Sequence, residues 1–148
     1  MTKFIVDRML GQTAKWLRLL GVDAEYVDDD TEDALVIQRG KEESRIIITR
    51  DKTLGDRPGT MLVPNVPTEE LLPQIFERYG LSPKPLTRCS LCNSPIVPVD
   101  KVTVKGDVPE GVYQRQDEFW CCSGCHRIYW KGSHWDHILS VARKVSPD

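Results

Sequence analysis

The chain has 148 residues, of which 40% are hydrophobic and 28% charged, and its formal net charge is −2. No run approaches the roughly 18 to 20 apolar residues that cross a bilayer, which argues against a membrane protein, and the weak net charge argues against a protein that coats nucleic acid by bulk electrostatics. A chain of this length is near the usual size of one domain, and it is also long enough for a small hydrophobic core and a separate module that a metal ion stabilises. Residues 1–83 hold 11 basic and 15 acidic residues, and residues 84–148 hold 9 and 7, so an acidic half precedes a mildly basic one.

The first half alternates short apolar runs with helical patterns. Strands are expected at residues 3–6, 24–27, 45–49 and 60–63, and helices at 10–20, about 33–44 and 68–79. The run at 45–49 is too apolar for a half-exposed strand and indicates a central parallel strand. Strands alternating with helices favour a doubly wound α/β fold with a parallel sheet of about four strands.

The second half begins after a linker rich in proline. We place the first module at residues 1–80, the linker at 81–88 and the second module at 89–148. Strand patterns are expected at residues 96–99, 101–105, 118–120 and 127–130. A last helix, capped by Ser133 and apolar on one face from Trp135 to Val145, is expected to dock on one of the modules.

Four cysteines form two CxxC pairs in this second half, Cys89 with Cys92 and Cys122 with Cys125. Two such turns present four sulfurs to one ion, the arrangement of a structural tetrahedral zinc site. The N-terminus lacks an apolar secretory signal, so we expect a cytoplasmic, reducing setting, where this spacing indicates zinc rather than disulfides. Cys121 breaks the spacing and is expected to be a packed or free thiol.

Acidic residues follow three of the predicted strands. Asp7 follows the first, Asp51 follows the third, and an acidic run from Asp28 follows the second. Because ligands bind at the carboxyl ends of parallel strands, these acids are expected at one edge of the sheet. Within the run Asp33 is the first choice, since it continues the inner face of its helix, and Asp30 is the reserve. Three converging carboxylates suit Mg²⁺ or Mn²⁺ and phosphodiester hydrolysis, although each acid alone is more often a helix N-cap.

Basic and aromatic residues offer weaker indications of RNA binding. Arg8 and Lys15 are candidates for contact with a phosphate backbone. Arg18 shares a helix face with Lys15, but a solvated surface position is the favoured interpretation for it. The aromatic residues of the second module either stack on bases or form its small core; they include Trp120, Tyr129, Trp130 and Trp135.

Several segments together resemble one known family. These segments are the two cysteine pairs and the runs DRMLGQTAKWLRLLG at 7–21, IITRD at 47–51, FW at 119–120 and YWKGSHW at 129–135. Together they resemble the Mut-seven C-terminal RNase family over nearly the whole chain. The resemblance implies a PIN-like nuclease fold joined to a zinc ribbon and metal-dependent cleavage of RNA. Cys121 departs from the family pattern but leaves the zinc ligands unchanged, and the acidic run from Asp28 to Asp33 departs from it in a way that leaves the second acid open. The implied ligands are Asp7, Asp33 and Asp51 for the catalytic metal and Cys89, Cys92, Cys122 and Cys125 for zinc.

Two functions follow from these features. The first is a Mg²⁺- or Mn²⁺-dependent ribonuclease, expected to be an endonuclease. The second is a non-catalytic module that binds RNA or a ribonucleoprotein and keeps a vestigial acidic site. A DNA-binding zinc-ribbon regulator would need a stronger basic surface than the second half offers. Carboxylates close enough to share a metal would favour the enzyme, and separated ones the binding module.

Overall fold

A four-stranded parallel sheet organises the first half of the chain. The computed structural model describes residues 1–28 and 30–146, so Asp29 of the acidic run lies outside the described residues. Its strands are β1 (Lys3–Val6), β2 (Asp23–Tyr26), β3 (Ile46–Thr49) and β4 (Thr60–Leu62). The sheet has the order β2-β1-β3-β4, and all neighbouring strands are parallel. The predicted α/β fold is confirmed. The connection after β1 leads to β2 on one side of it, and the connection after β2 crosses back to β3 on the other side, so the carboxyl ends of β1 and β3 form a topological switch point.

Helices cover both faces of this sheet. The helices are α1 (Gly11–Leu19), α2 (Asp33–Glu42), α3 (Lys52–Gly55), α4 (Thr68–Tyr79), α5 (Glu110–Arg115) and α6 (Trp135–Val145). A short 3-10 turn at Arg8–Leu10 links β1 to α1. Side chains alternate along each strand: Phe4 and Val6 enter a large core with α1, α4 and α6, whereas Ile5 and Ile47 enter a smaller core with α2 and α3. The short helices α3 and α5 were not predicted.

A three-stranded antiparallel sheet forms the second half. Its strands, β5 (Ile96–Val99), β6 (Phe119–Cys122) and β7 (Ile128–Tyr129), have the order β5-β6-β7; we call this sheet and its two CxxC turns the ribbon. The strand predicted at 101–105 is wrong, because Lys101–Val104 is a 3-10 turn. β6, rather than this segment, pairs with β5. The Asp100 carbonyl accepts the Thr103 N–H at 3.0 Å, which turns the chain out of an extended conformation.

The last helix packs on the first half of the chain, so the expected docking is confirmed. Val141, Ala142 and Val145 of α6 are buried in the large core beside α4. The predicted cap is wrong: the N-cap residue is His134, and its side chain makes no capping bond. A turn in which the Gly132 carbonyl accepts the Trp135 N–H at 3.1 Å begins the helix instead.

Candidate functional site

Four cysteine side chains meet in the ribbon. The Sγ atoms of Cys89, Cys92, Cys122 and Cys125 all lie within 4.8 Å of one another. The Cys92–Cys122 and Cys89–Cys125 distances are 3.3 and 3.8 Å, far beyond the ~2.05 Å of a disulfide and near the roughly 3.8 Å set by a tetrahedral ion with ~2.3 Å bonds to sulfur. These cysteines can therefore bind zinc. Cys121 is a half-buried free thiol outside this group.

The thiols differ in how readily they ionise. Hydrogen bonds from Ser94 lower the pKa of Cys92 to about 6, whereas burial raises the pKa of Cys122 to about 11. At Cys89 burial acts against ionisation, but hydrogen bonds from the Tyr129 hydroxyl, 2.9 Å away, and from the backbone outweigh it and lower the pKa. Because a metal ligand must be a thiolate, a bound cation would also have to deprotonate Cys122.

The two CxxC turns approach each other closely. Asn93 and His126, which follow the second cysteine of each turn, adopt left-handed backbone conformations with φ of 67° and 64°. Gly124 is required by space, because a Cβ atom there would lie 2.4 Å from the Ser94 Oγ and 3.3 Å from the Cys92 Sγ. The local backbone is thus shaped to converge the sulfurs.

The first CxxC turn docks on the edge strand β2 through Asn93. The Asn93 Oδ1 accepts the Ala24 N–H at 3.1 Å, and its Nδ2 donates to Asp23 at 2.8 Å and to Glu25 at 2.9 Å. Asp23 also accepts from the Arg45 guanidinium at 2.7 Å. Partial burial opposes ionisation of Asp23, but the bonds from Arg45 and Asn93 outweigh it and lower its pKa. The cysteine site is therefore joined to the parallel sheet by a buried polar network.

Arg18 is part of the same junction, so its predicted surface position is wrong. The side chain is 8% exposed. It donates to the carbonyls of Ala24 at 2.7 Å, Ser90 at 3.2 Å and Leu91 at 3.1 Å. Burial lowers its pKa, an effect that the acidic groups around it oppose. A guanidinium committed to these carbonyls holds α1 against the first CxxC turn rather than contacting a phosphate.

Two of the predicted acids lie at the switch point and share one hydroxyl. Asp7 follows β1 and accepts the Arg8 N–H at 2.8 Å through Oδ1 and the Thr49 hydroxyl at 2.8 Å through Oδ2. The Thr49 Oγ1 in turn accepts the Asp51 N–H at 3.0 Å, and Asp51 caps α3 by accepting the Thr53 N–H at 2.8 Å. Both acids are helix caps, and both are fixed in position by the same buried threonine.

Thr49 is the residue at this edge that sequence reasoning missed. It is completely buried and is the last residue of β3, where its hydroxyl bridges two strand ends. Its role could have been inferred from its place in the sequence, because Thr49 is a hydroxyl residue at the end of an otherwise apolar strand, two positions before Asp51. A buried hydroxyl that is fully engaged in this way orients the carboxylate beside it.

The acids after β2 lie in a different setting. Asp33 is the first residue of α2 and is exposed, as is Asp30. The Asp28 carboxylate accepts the Asp30 N–H at 3.1 Å and the Thr31 hydroxyl at 2.8 Å. Within residues 1–28 and 30–146, the four cysteines form the one group of at least three His, Cys, Asp or Glu side chains positioned to hold a metal ion. No such group of acids is formed there, so a metal site shared by Asp7, Asp51 and Asp33 or Asp30 stays a prediction.

The two basic candidates have distinct positions. Arg8 is exposed directly beside Asp7, and Lys15 is exposed on α1, where it lines a groove between α1 and the ribbon.

In the part of the chain that the structure describes, no helix is both long and apolar enough to cross a membrane.

Comparison with known families matches almost the whole chain. The model of the Mut7-C RNAse domain matches residues 2–142. The chain belongs to the Mut7-C RNAse domain family. The Mut7-C match covers both strand-end acids, all four clustered cysteines and most of α6. No curated protein and no solved structure matches. Membership in the Mut7-C family suggests a nuclease-like role with RNA as the substrate.

Proposed function

We propose that this chain is a Mg²⁺- or Mn²⁺-dependent ribonuclease whose acidic site lies at the carboxyl ends of β1 and β3. The observation that carries the proposal is the Thr49 hydroxyl, which donates to the Asp7 carboxylate and accepts the Asp51 backbone N–H at the switch point of the sheet. Ligand sites of open parallel sheets lie at such points. Membership in the Mut7-C RNAse family supports the choice of RNA, and endonucleolytic cleavage on a PIN-like fold belongs to the same proposal.

Asp7 and Asp51 would be two of the metal ligands, and Asp33, with Asp30 in reserve, would complete the set. Carboxylate oxygens are the hard ligands that Mg²⁺ and Mn²⁺ prefer. The half-buried position of Asp7 leaves its carboxylate accessible while Thr49 holds its orientation. A divalent cation bound there supplies a water of lowered pKa and positive charge against the phosphate oxygens. Arg8, next to Asp7, would face the phosphate backbone.

The cysteine group would hold a structural zinc ion through Cys89, Cys92, Cys122 and Cys125. Four sulfurs leave no open position on a tetrahedral ion, so this site would stabilise the ribbon rather than take part in catalysis. The requirement for thiolates favours a reducing compartment, and a cytoplasmic location is part of the proposal.

One observation favours the second function, a non-catalytic module that binds RNA. Asp7 and Asp51 act as caps, and among the described residues no third carboxylate forms a potential metal site with them. Carboxylates that only cap helices need no metal. The two functions share a surface and differ in whether RNA is cleaved.

A cleavage assay with matched variants separates the two functions. Asp7→Asn and Asp51→Asn keep side-chain size and remove one charge each, whereas Asp56→Asn makes the same change at an exposed acid at the other end of α3. Mutation of a residue that only supports a metal ligand typically lowers metal affinity or activity by about 10–100-fold. Loss of a ligand itself should therefore reduce Mn²⁺-dependent cleavage by about 100-fold or more in Asp7→Asn and Asp51→Asn, while Asp56→Asn retains it. Wild type that binds RNA without cleaving it in Mg²⁺ or Mn²⁺ would establish the binding module instead.

A further inference from the structure

A groove of about 590 Å³ runs between α1, the ribbon and the start of α6. Its α1 wall carries Lys15 and Trp16, its ribbon wall runs along residues 127–130, and its third wall is the beginning of α6. We call it the aromatic groove. It lies where the first half of the chain meets the second.

Aromatic side chains form much of the wall of this groove. Trp16, Tyr129, Trp130 and Trp135 all line it, and each is only partly buried. Trp135 belongs to none of the hydrophobic core clusters, so its ring is not needed to fill a core. Accessible aromatic faces in a groove are the platforms on which unpaired bases stack.

The charge of the groove is opposite to that of the chain. Lys15 and Arg127 line it and are exposed, and the Lys131 ammonium lies 5.2 Å from the centre of the Trp135 ring at its margin. Arg88 also lines it, although its guanidinium donates to the Asn93 carbonyl. Among the residues that the structure describes, no aspartate or glutamate lines the groove, while the whole chain has a net charge of −2. A cationic, aromatic groove on an acidic protein complements an anionic ligand that carries flat apolar rings.

We propose that the aromatic groove binds single-stranded RNA, with bases stacked on Trp135 and its aromatic neighbours and phosphates placed against Lys15 and Arg127. The proposal deepens the ribonuclease function proposed above and takes its RNA substrate from it. Duplex RNA hides its bases inside the helix, so aromatic walls favour unpaired nucleotides. Lys15 lies four residues after Gly11, the first residue of α1, which places it about 6 Å along the helix axis. Asp7 lies four residues before Gly11, so the groove and the acidic edge adjoin the same helix.

Binding is measured on the zinc-loaded full chain without Mg²⁺ or Mn²⁺, by fluorescence anisotropy with an unstructured oligoribonucleotide of roughly ten nucleotides, a typical single-strand site size. Wild type should bind this oligonucleotide more tightly than a duplex of the same sequence. Trp135→Leu keeps an apolar side chain and removes the aromatic face, so it should weaken binding by roughly tenfold or more. Trp135→Phe retains a face and should restore most of the affinity.

The cationic part of the groove has its own test. Arg127→Gln and Lys15→Gln should each reduce the slope of log affinity against log salt by about 0.7, the value for one phosphate contact on a single strand. Lys41→Gln is the matched control, since Lys41 is exposed on α2 over the opposite face of the sheet. Arg127 is exposed, so this test holds even if Trp135→Leu fails to fold.

The outcomes separate this proposal from the ribonuclease function. Single-strand binding that responds to Trp135 and Arg127 supports the groove even if wild type never cleaves RNA, a result that would defeat only the enzyme. Equal affinity for single strand and duplex, or Trp135→Leu and Arg127→Gln proteins that bind as wild type does, overturns the groove even if Asp7-dependent cleavage is found. A groove that captures a protein partner but no RNA overturns it as well.

Discussion

The Asn93 side chain completes the hydrogen bonding of Ala24, a residue of the edge strand β2, by accepting its N–H at 3.1 Å. An edge strand leaves a row of unpaired backbone groups that proteins usually cover. Here the cover is a turn that also carries two of the clustered cysteines. The first CxxC turn and the parallel sheet are therefore coupled through Asn93, in addition to the contacts that Arg18 makes with the same turn.

Replacing Asn93 tests that coupling. Asn93→Gly tolerates the positive φ. It removes the acceptor of the Ala24 N–H and one hydrogen bond each from Asp23 and Glu25, so it should lower the free energy of unfolding by about 2–4 kcal/mol. Asn93→Asp keeps an oxygen for Ala24 but faces two acids, so its loss at neutral pH should be larger. Chemical denaturation measures both, with Asn65→Gly in an exposed loop as the control. An Asn93→Gly protein as stable as wild type would show that the contact contributes nothing.

The lowered pKa of Asp23 predicts a specific dependence of stability on pH. Because the folded pKa lies below the unfolded value of about 3.9, the stabilisation is present above that value and is lost as the pH falls through the folded pKa. The difference in free energy of unfolding between wild type and Asp23→Asn should therefore shrink between about pH 6 and about pH 3. A difference that stays constant or grows over this range would contradict the role of the Arg45 and Asn93 bonds.

Loss of a clustered cysteine should unfold the ribbon and spare most of the parallel sheet. Structural zinc contributes on the order of 10–16 kcal/mol of apparent binding energy, so Cys92→Ser should lose the metal and the exchange protection of amides in 89–132. The Ala24 amide should also exchange faster, because its hydrogen bond to the Asn93 side chain is lost when the ribbon unfolds. Elemental analysis and hydrogen exchange provide the measurements, and Cys121→Ser is the control that keeps its zinc. A Cys92→Ser protein with a protected ribbon would rule out this role for the cysteine site.

Removing the Thr49 hydroxyl should impair cleavage without unfolding the chain. Thr49→Val keeps the β-branched shape that suits a strand but leaves Asp7 Oδ2 and the Asp51 N–H without their shared partner. Loss of such an orienting contact typically costs about 10–100-fold in activity or metal affinity. Thr49→Ser retains a hydroxyl and should retain most activity. Equal cleavage by Thr49→Val and wild type would show that the threonine does not position the acids.

Local patterns in the sequence predicted most of the fold. The strand at 3–6 and the helix at 68–79 were located correctly, because apolar spacing and Gly80, which ends α4 with φ of 61°, are local signals. The cysteine group was predictable for the same reason, since each CxxC turn is a local motif. The segment at 101–105 alternates like a strand but has no partner, and strand pairing is not a local property.

The contacts that build the site were beyond local reasoning. Arg18 donates hydrogen bonds to carbonyls that lie 72 and 73 residues further along the chain. Asn93 accepts a hydrogen bond from a residue of β2 that precedes it by 69 residues. No periodicity of either residue's own segment encodes such a contact. Thr49 acquires its role only when β1 and β3 become neighbours and bring Asp7 within reach of its hydroxyl.

The central claim, a divalent-metal site at the carboxyl ends of β1 and β3, is tested most directly by titrating Mn²⁺ into wild type and Asp7→Asn while RNA cleavage is followed. Cleavage by wild type should rise to saturation with Mn²⁺. Asp7→Asn should need a much higher Mn²⁺ concentration for half-saturation and reach a lower plateau, while both proteins remain folded. Superimposable Mn²⁺ curves for the two proteins, once contaminating nucleases are excluded, would contradict it.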